Sequence, residues 1–104
     1  MTVSPHLSAA IRVAAFIPAK AGAEDKMIAG LKDLVTVSNT QDGVLEYQLT
    51  QDVKDSTKFW MIESYKDKAS LDGHMASDVF KEAGPKLAEA LGGELVLNWL
   101  TPVA

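Results

Sequence analysis

KFWMIESYKDKASLDGHMASDVF, residues 58–80, encodes a strand, a tight connection and a helix in succession. Phe59, Met61, Glu63 and Tyr65 alternate with Trp60 and Ile62, the period of two that sends neighbours to opposite faces of a sheet. Lys66 and Asp67 break the pattern. A helix from about Asp67 to Met75 follows and carries His74. A strand that turns straight into a helix folded back over it brings Glu63, Tyr65 and His74 near one another, beside aromatic residues. A second helical piece from about Asp78 to Leu91 places Val79, Phe80, Ala83, Leu87, Ala90 and Leu91 on one stripe. Pro85 is expected to kink or divide it, and Gly92-Gly93 to stop it.

Upstream, Val44 to Gln51 also alternates, with Leu45, Tyr47 and Leu49 on one face. The polar turn Asp52 to Thr57 is short enough that this strand pairs antiparallel with 58–65. Asn39 to Gly43 (NTQDG) is a turn cluster. Glu24 to Ser38 reads as a helix, with Glu24 and Asp25 at the positive end of its dipole. Met27, Leu31, Leu34, Val35 and Ser38 fall at helical spacing. Gly30 weakens that helix by about 1 kcal/mol relative to alanine and suits a close approach to the sheet. Ile11 to Ile17 (IRVAAFI) is a first strand whose near-continuous apolar character implies that both faces are covered. Glu94 to Leu100 (ELVLNWL) is the last. The order β-α-β-β-α-β predicts an α+β, ferredoxin-like fold with a four-stranded antiparallel sheet and its helices on one face. Residues 11–104 form one domain, and Met1 to Ala10 a loose arm.

Helices on one face leave the other uncovered, and Trp60 and Ile62 point there. An exposed apolar sheet face is a liability for a monomer, so a homodimer packed through that face is expected. The net charge of −4 and pI near 5.0, with Lys and Arg scattered among Asp and Glu, exclude a nucleic-acid groove. No apolar run is long enough to span a bilayer. The absence of cysteine removes disulfides, thiolate metal sites and a cysteine nucleophile, and suits a cytoplasmic location. His6 and His74 are too far apart in sequence to form a recognised ligand set, so no metal is expected. Ser77 has no evident histidine–acid relay, and no glycine-rich phosphate loop is present.

Three segments carry a family resemblance: Asp-Gly-Val-Leu-Glu-Tyr at 42–47, FWMIESY at 59–65, and His74 followed by Ser77-Asp78-Val79-Phe80. From about Ile11 to Leu100 the chain resembles the antibiotic biosynthesis monooxygenase family. The resemblance implies a dimeric α+β barrel of ferredoxin-like subunits. It also implies a monooxygenase that needs no cofactor and oxidises a phenolic or quinol-like aromatic with molecular oxygen, the substrate supplying the electrons inside a dry pocket. The alternative, within the same fold, is a dimeric small-molecule-binding or stress-associated protein without turnover. The haem-degrading branch of the family does not fit. Its segment like Ser77–Ala83 is followed by an iron-ligating histidine where this chain has Gly84. Its first-strand asparagine is missing from Ile11–Ile17, and its strand-end tryptophan falls at Tyr65. His74 stands too far upstream to take the ligand's place.

On this resemblance the candidate catalytic residues are His74, Tyr65 and Glu63. His74 serves either as a pocket base or hydrogen-bond donor, or as a tie between its helix and Glu63 or a backbone carbonyl. Glu63, an inward carboxylate that needs a partner, either orients His74 or pins the helix. Tyr65 either binds a quinol oxygen or is core. Phe59, Met61, Tyr47 and Phe80 are candidate substrate-binding residues, with simple core packing as the competing reading. Trp60 and Trp99 fit interface or core.

Overall fold

A computed structural model describes residues 10–104. The elements are β1 (Ile11–Pro18), α1 (Glu24–Ser38), β2 (Val44–Gln51), β3 (Lys58–Tyr65), α2 (Lys68–Met75), α3 (Asp78–Ala90) and β4 (Val96–Leu100). They form one antiparallel sheet of order β2-β3-β1-β4, with the helices on one face. The expected arm lies outside the described residues except for Ala10, which is buried rather than loose. No helix among the described residues is long and apolar enough to cross a membrane.

β1 and β3 are the two central strands, and their inward side chains make the floor of the core. Val13 lies opposite Glu63, Ala15 opposite Met61 and Ile17 opposite Phe59. All six are buried. Met27, Leu31 and Leu34 of α1 close over them. Burying the Val, Ile, Leu, Met and Phe side chains of this layer contributes about 1.5–3 kcal/mol each, which makes it the main driving force for the fold.

The apolar run of β1 implied cover on both sides. Within the chain only one face is covered: Ala14 and Phe16 are half-buried, as are Trp60 and Ile62. Phe16 and Trp60 stack on each other with ring centroids 4.9 Å apart. Leu45 departs from expectation too. A bulge between Val44 and Glu46 inserts one residue and shifts the alternation, so Leu45 is exposed while Val44 and Tyr47 turn inward.

The connections are fixed by local chemistry. Asp67 caps α2: its Oδ1 accepts from the Ser70 backbone N–H at 2.8 Å and from Ser70 Oγ at 2.6 Å. Such a cap stabilises a helix by about 1 kcal/mol. These bonds lower the Asp67 carboxyl below its usual range. Asn39 Nδ2 donates to the carbonyls of Val35 and Tyr47, both at 2.8 Å, and so ties the end of α1 to β2.

Two glycines act otherwise than the sequence suggested, and of the two effects expected of Pro85 one is absent. Gly30 permits close approach to α3, not to the sheet: a Cβ there would lie 3.3 Å from Lys86 Cβ. Gly92 is required less as a helix stop than because the backbones of 18–20 and 90–92 pass close together. Gly92 N donates to Pro18 O and Lys20 N to Ala90 O, both at 2.9 Å, and a Cβ on Gly92 would lie 2.7 Å from Lys20 N. Pro85 does not divide α3, which runs through it unbroken.

These contacts separate two glycine substitutions in sign. Gly92→Ala meets backbone that cannot move aside and should lower stability by roughly 2 kcal/mol, in the range of overpacking. Gly73→Ala, in α2 with open space at its Cβ position, should raise it by about 1 kcal/mol. Urea midpoints of the two variants test this, and a neutral Gly92→Ala would remove the close-approach argument.

Candidate active site

A cavity of about 250 Å³ lies between the sheet and the helices. Small residues face one another across the layer and leave it open: Ala15 on the sheet, Ala83 and Gly84 on α3. The wall formed by β4 is incomplete. Leu97 and Trp99 line the cavity but are 46% and 53% exposed, because no helix reaches over that edge strand. The lining is apolar apart from Tyr47, Glu63 and His74.

α2 carries His74 into this wall, where it is 2% exposed. Its ring is enclosed by Tyr47, Phe80 and Tyr65, with centroids at 4.8, 5.2 and 5.6 Å. Nδ1 lies 2.8 Å from Gln41 Oε1 and 3.4 Å from Ser38 Oγ. Nε2 is buried and, among the described residues, has no hydrogen-bond partner. Burial lowers the imidazole pKa, so the ring is neutral at neutral pH.

Glu63 sits in the middle of β3, between Val13 of β1 and Tyr47 of β2. Tyr65 Oη donates to its Oε1 at 2.5 Å. Burial pushes the Glu63 carboxyl up to about 7, against the opposing pull of that hydrogen bond. Both tyrosines are raised above the ordinary phenol value. Burial is the main cause in each. For Tyr65 the hydrogen bond to Glu63 adds to it, and for Tyr47 the nearby Glu63 charge does.

His74, Glu63, Tyr47, Met61 and Phe80 therefore meet around one cavity. Phe59 and Tyr65 do not line it. Phe59 borders a separate shallow groove between α1 and β2, and Tyr65, with no exposed surface, reaches the site only through Glu63 and the His74 ring. The expected Glu63–His74 tie is replaced by two separate pairs. Tyr65, two residues along the same strand face, takes the carboxylate, and Gln41 takes the imidazole. Gln41 and Ser38 escaped the sequence reading. The one available signal was Ser38, a polar residue ending an otherwise apolar helical stripe. Gln41 looked like any residue of a turn.

Among the described residues no group of three or more His, Cys, Asp or Glu side chains stands together as a metal site. Gly84, at the position that holds the iron ligand in the haem-degrading branch, lines the cavity with no side chain to offer. The residues present do not fit a haem.

The profile of the antibiotic biosynthesis monooxygenase family matches residues 10–86. No protein of curated function matches the sequence. Solved structures do. A conserved protein from Methanosarcina mazei Go1 is 31% identical, with a TM-score of 0.87, over 92% of this chain and 95% of the other. PA3566 from Pseudomonas aeruginosa is 30% identical, with a TM-score of 0.86, over 95% and 99%. A protein from Caulobacter crescentus CB15, provisionally assigned as an antibiotic biosynthesis monooxygenase, is 25% identical, with a TM-score of 0.86, over 95% and 94%. With most of its length matched by the family profile and a ferredoxin-like sheet beneath the cavity, this chain belongs to the antibiotic biosynthesis monooxygenase family.

Proposed function

We propose that the protein is a monooxygenase that oxidises a hydroxylated, quinol-like aromatic with molecular oxygen and no cofactor. The observation that carries this reading is the buried Nε2 of a neutral His74, unpartnered among the described residues, beside a largely apolar cavity. Family membership supports it. A cavity of about 150 Å³ accommodates benzene, so 250 Å³ has room for two fused rings.

On this reading His74 accepts the hydroxyl proton as a general base. The aryloxide gives up electrons to oxygen more readily than the neutral phenol, and the apolar walls exclude water from the intermediates. For a quinol, one oxygen atom forms a new bond to a ring carbon. The other leaves as water with two hydrogens drawn from the substrate, which ends as a hydroxyquinone. All electrons come from the quinol. Glu63 holds a second polar position in the wall, and Tyr65 acts through Glu63 rather than on the substrate. Two copies pack through the sheet face that bears Phe16, Trp60 and Ile62.

Oxygen uptake with menadiol, corrected for autoxidation, tests the reading. A saturable rate is expected, and His74→Ala should lower it by 10²-fold or more, the scale of a lost general base, while remaining folded. Absence of a rate above background with menadiol and with an anthrone would instead favour a binding protein without turnover.

The carboxyl at 63 predicts a pH signature. Its folded pKa, about 7, lies above the ordinary value of 4.5. The folded state therefore holds the proton more tightly. Stability from this group is fully present below pH 4.5 and is lost as pH rises through 7. At 1.36 kcal/mol per unit the limit is roughly 3 kcal/mol. Relative to Glu63→Gln, which still accepts from Tyr65, the wild type should become less stable between pH 4.5 and 7. Parallel denaturation curves for the two proteins would contradict this.

The proposed dimer is checked by light scattering. The wild type should have twice the chain mass, and the double variant Trp60→Lys, Ile62→Lys should dissociate. A monomeric wild type would sink the sheet-to-sheet packing.

A further inference from the structure

His74 stands between two different environments. On one side is the apolar cavity; on the other is a polar surface groove bordered by Gln41, Asp42, Lys66 and Asp67. A neutral imidazole has one N–H and one lone pair, and the partner of one nitrogen decides what the other can do. Two oxygens face Nδ1, Gln41 Oε1 at 2.8 Å and Ser38 Oγ at 3.4 Å. An amide oxygen can only accept, so Nδ1 carries the proton and Nε2 carries the lone pair. The opposite amide orientation would place a nitrogen against Nδ1 and strand an N–H at the buried, partnerless Nε2. Orphaned buried N–H groups are rarer than under-satisfied acceptors. The amide nitrogen of Gln41, turned the other way, has the polar groove for hydration.

We propose that Gln41 is a positioning residue. Its amide oxygen holds His74 as the Nδ1–H tautomer, so that Nε2 offers the cavity a hydrogen-bond acceptor and selects ring compounds with a free hydroxyl over their ethers and quinones. The selectivity is one of matched polarity. A hydroxyl satisfies Nε2, whereas an ether or quinone oxygen brings a second acceptor and leaves both lone pairs unpaired away from water. The quinone separates this effect from size exclusion, since a quinone oxygen is no larger than the hydroxyl it replaces. The inference rests on reading the cavity as the substrate site, but not on turnover.

The test is therefore run without oxygen. In ¹⁵N-histidine-labelled protein, with His6→Gln used to assign the spectrum, long-range ¹H–¹⁵N correlation reports which nitrogen of His74 is protonated. The expected result is Nδ1 protonated and Nε2 not. A protonated Nε2 overturns the proposal with no ligand required. Titration with 1-naphthol, 1-methoxynaphthalene and 1,4-naphthoquinone should show the naphthol bound about tenfold tighter than the other two, the scale of one buried hydrogen bond. Equal behaviour of the three overturns the selectivity. Gln41→Leu should give a mixture of tautomers and bring the preference toward unity, whereas Gln41→Glu, which still accepts from Nδ1, should keep both at a pH high enough to hold the imidazole neutral beside the new carboxylate. A Gln41→Leu protein that retains the single tautomer and the preference would remove Gln41 from the role. Failure of menadiol oxidation would leave these results standing, so the two ideas fail separately.

Discussion

The antiparallel register of β1 against β3 decides the face of every residue at the centre of the sheet. Val13 opposite Glu63 and Ala15 opposite Met61 place a carboxyl and a small side chain on the helix-covered face. Strand side chains alternate with period two, so a slip of one residue would exchange the two faces. Trp60 and Ile62 would enter the core, and Glu63 and Tyr65 would face out. The joint burial of Ile17, Phe59 and Met61 under Met27, Leu31 and Leu34 opposes that slip. Once the register is set, β3 ends at Tyr65 with Asp67 poised as the cap of α2. The capped helix must then carry His74 back over the same face.

The central elements were legible because they rest on strong, short-range signals. Alternation in 58–65 and 44–51 is a direct consequence of pleating, and the apolar stripe of 24–38 follows from the helical repeat. What stayed hidden depends on pairs of segments that are distant in sequence. The bulge that expels Leu45 needs the partner strand before it has meaning. Gly92 is indistinguishable from a helix-stopping glycine until Lys20 is seen beside it. The site shows the same division. Residues at period two on β3, or on the helix that follows, are adjacent by construction, so Glu63, Tyr65 and His74 could be grouped. Which of them pair could not be read. Gln41 comes from a turn preceding β2, and only the folded chain brings it 2.8 Å from His74. The membership of Phe59 in the wall failed for a related reason. Period two gives a face, but not the position along the strand at which the helices part and a cavity opens.

The cavity itself is a product of small side chains rather than of any polar motif. Ala15 faces Ala83 and Gly84 where larger residues would interdigitate. Protein interiors otherwise pack as densely as organic crystals, and an apolar space of this kind favours an apolar occupant over water. Leu97 and Trp99 are exposed, so within one chain the cavity is least enclosed along β4.

The polar groups in that space are pushed by burial toward their neutral forms. Burial lowers the pKa of His74 and raises that of Glu63, two shifts of opposite sign with one cause, the cost of placing charge away from water. On the proposed reading, proton transfer from a neutral hydroxyl to a neutral imidazole creates an ion pair whose members remain in contact, so the apolar surroundings strengthen their attraction while penalising their separation. A substrate that arrived already ionised would bear the desolvation cost alone, with no imidazolium waiting to meet it. The site should therefore take its aromatic as the uncharged hydroxyl form and generate the electron-rich anion only inside the cavity. There His74 Nε2, its lone pair fixed from behind by Gln41, is the proposed acceptor, with the Glu63 carboxyl in the same wall.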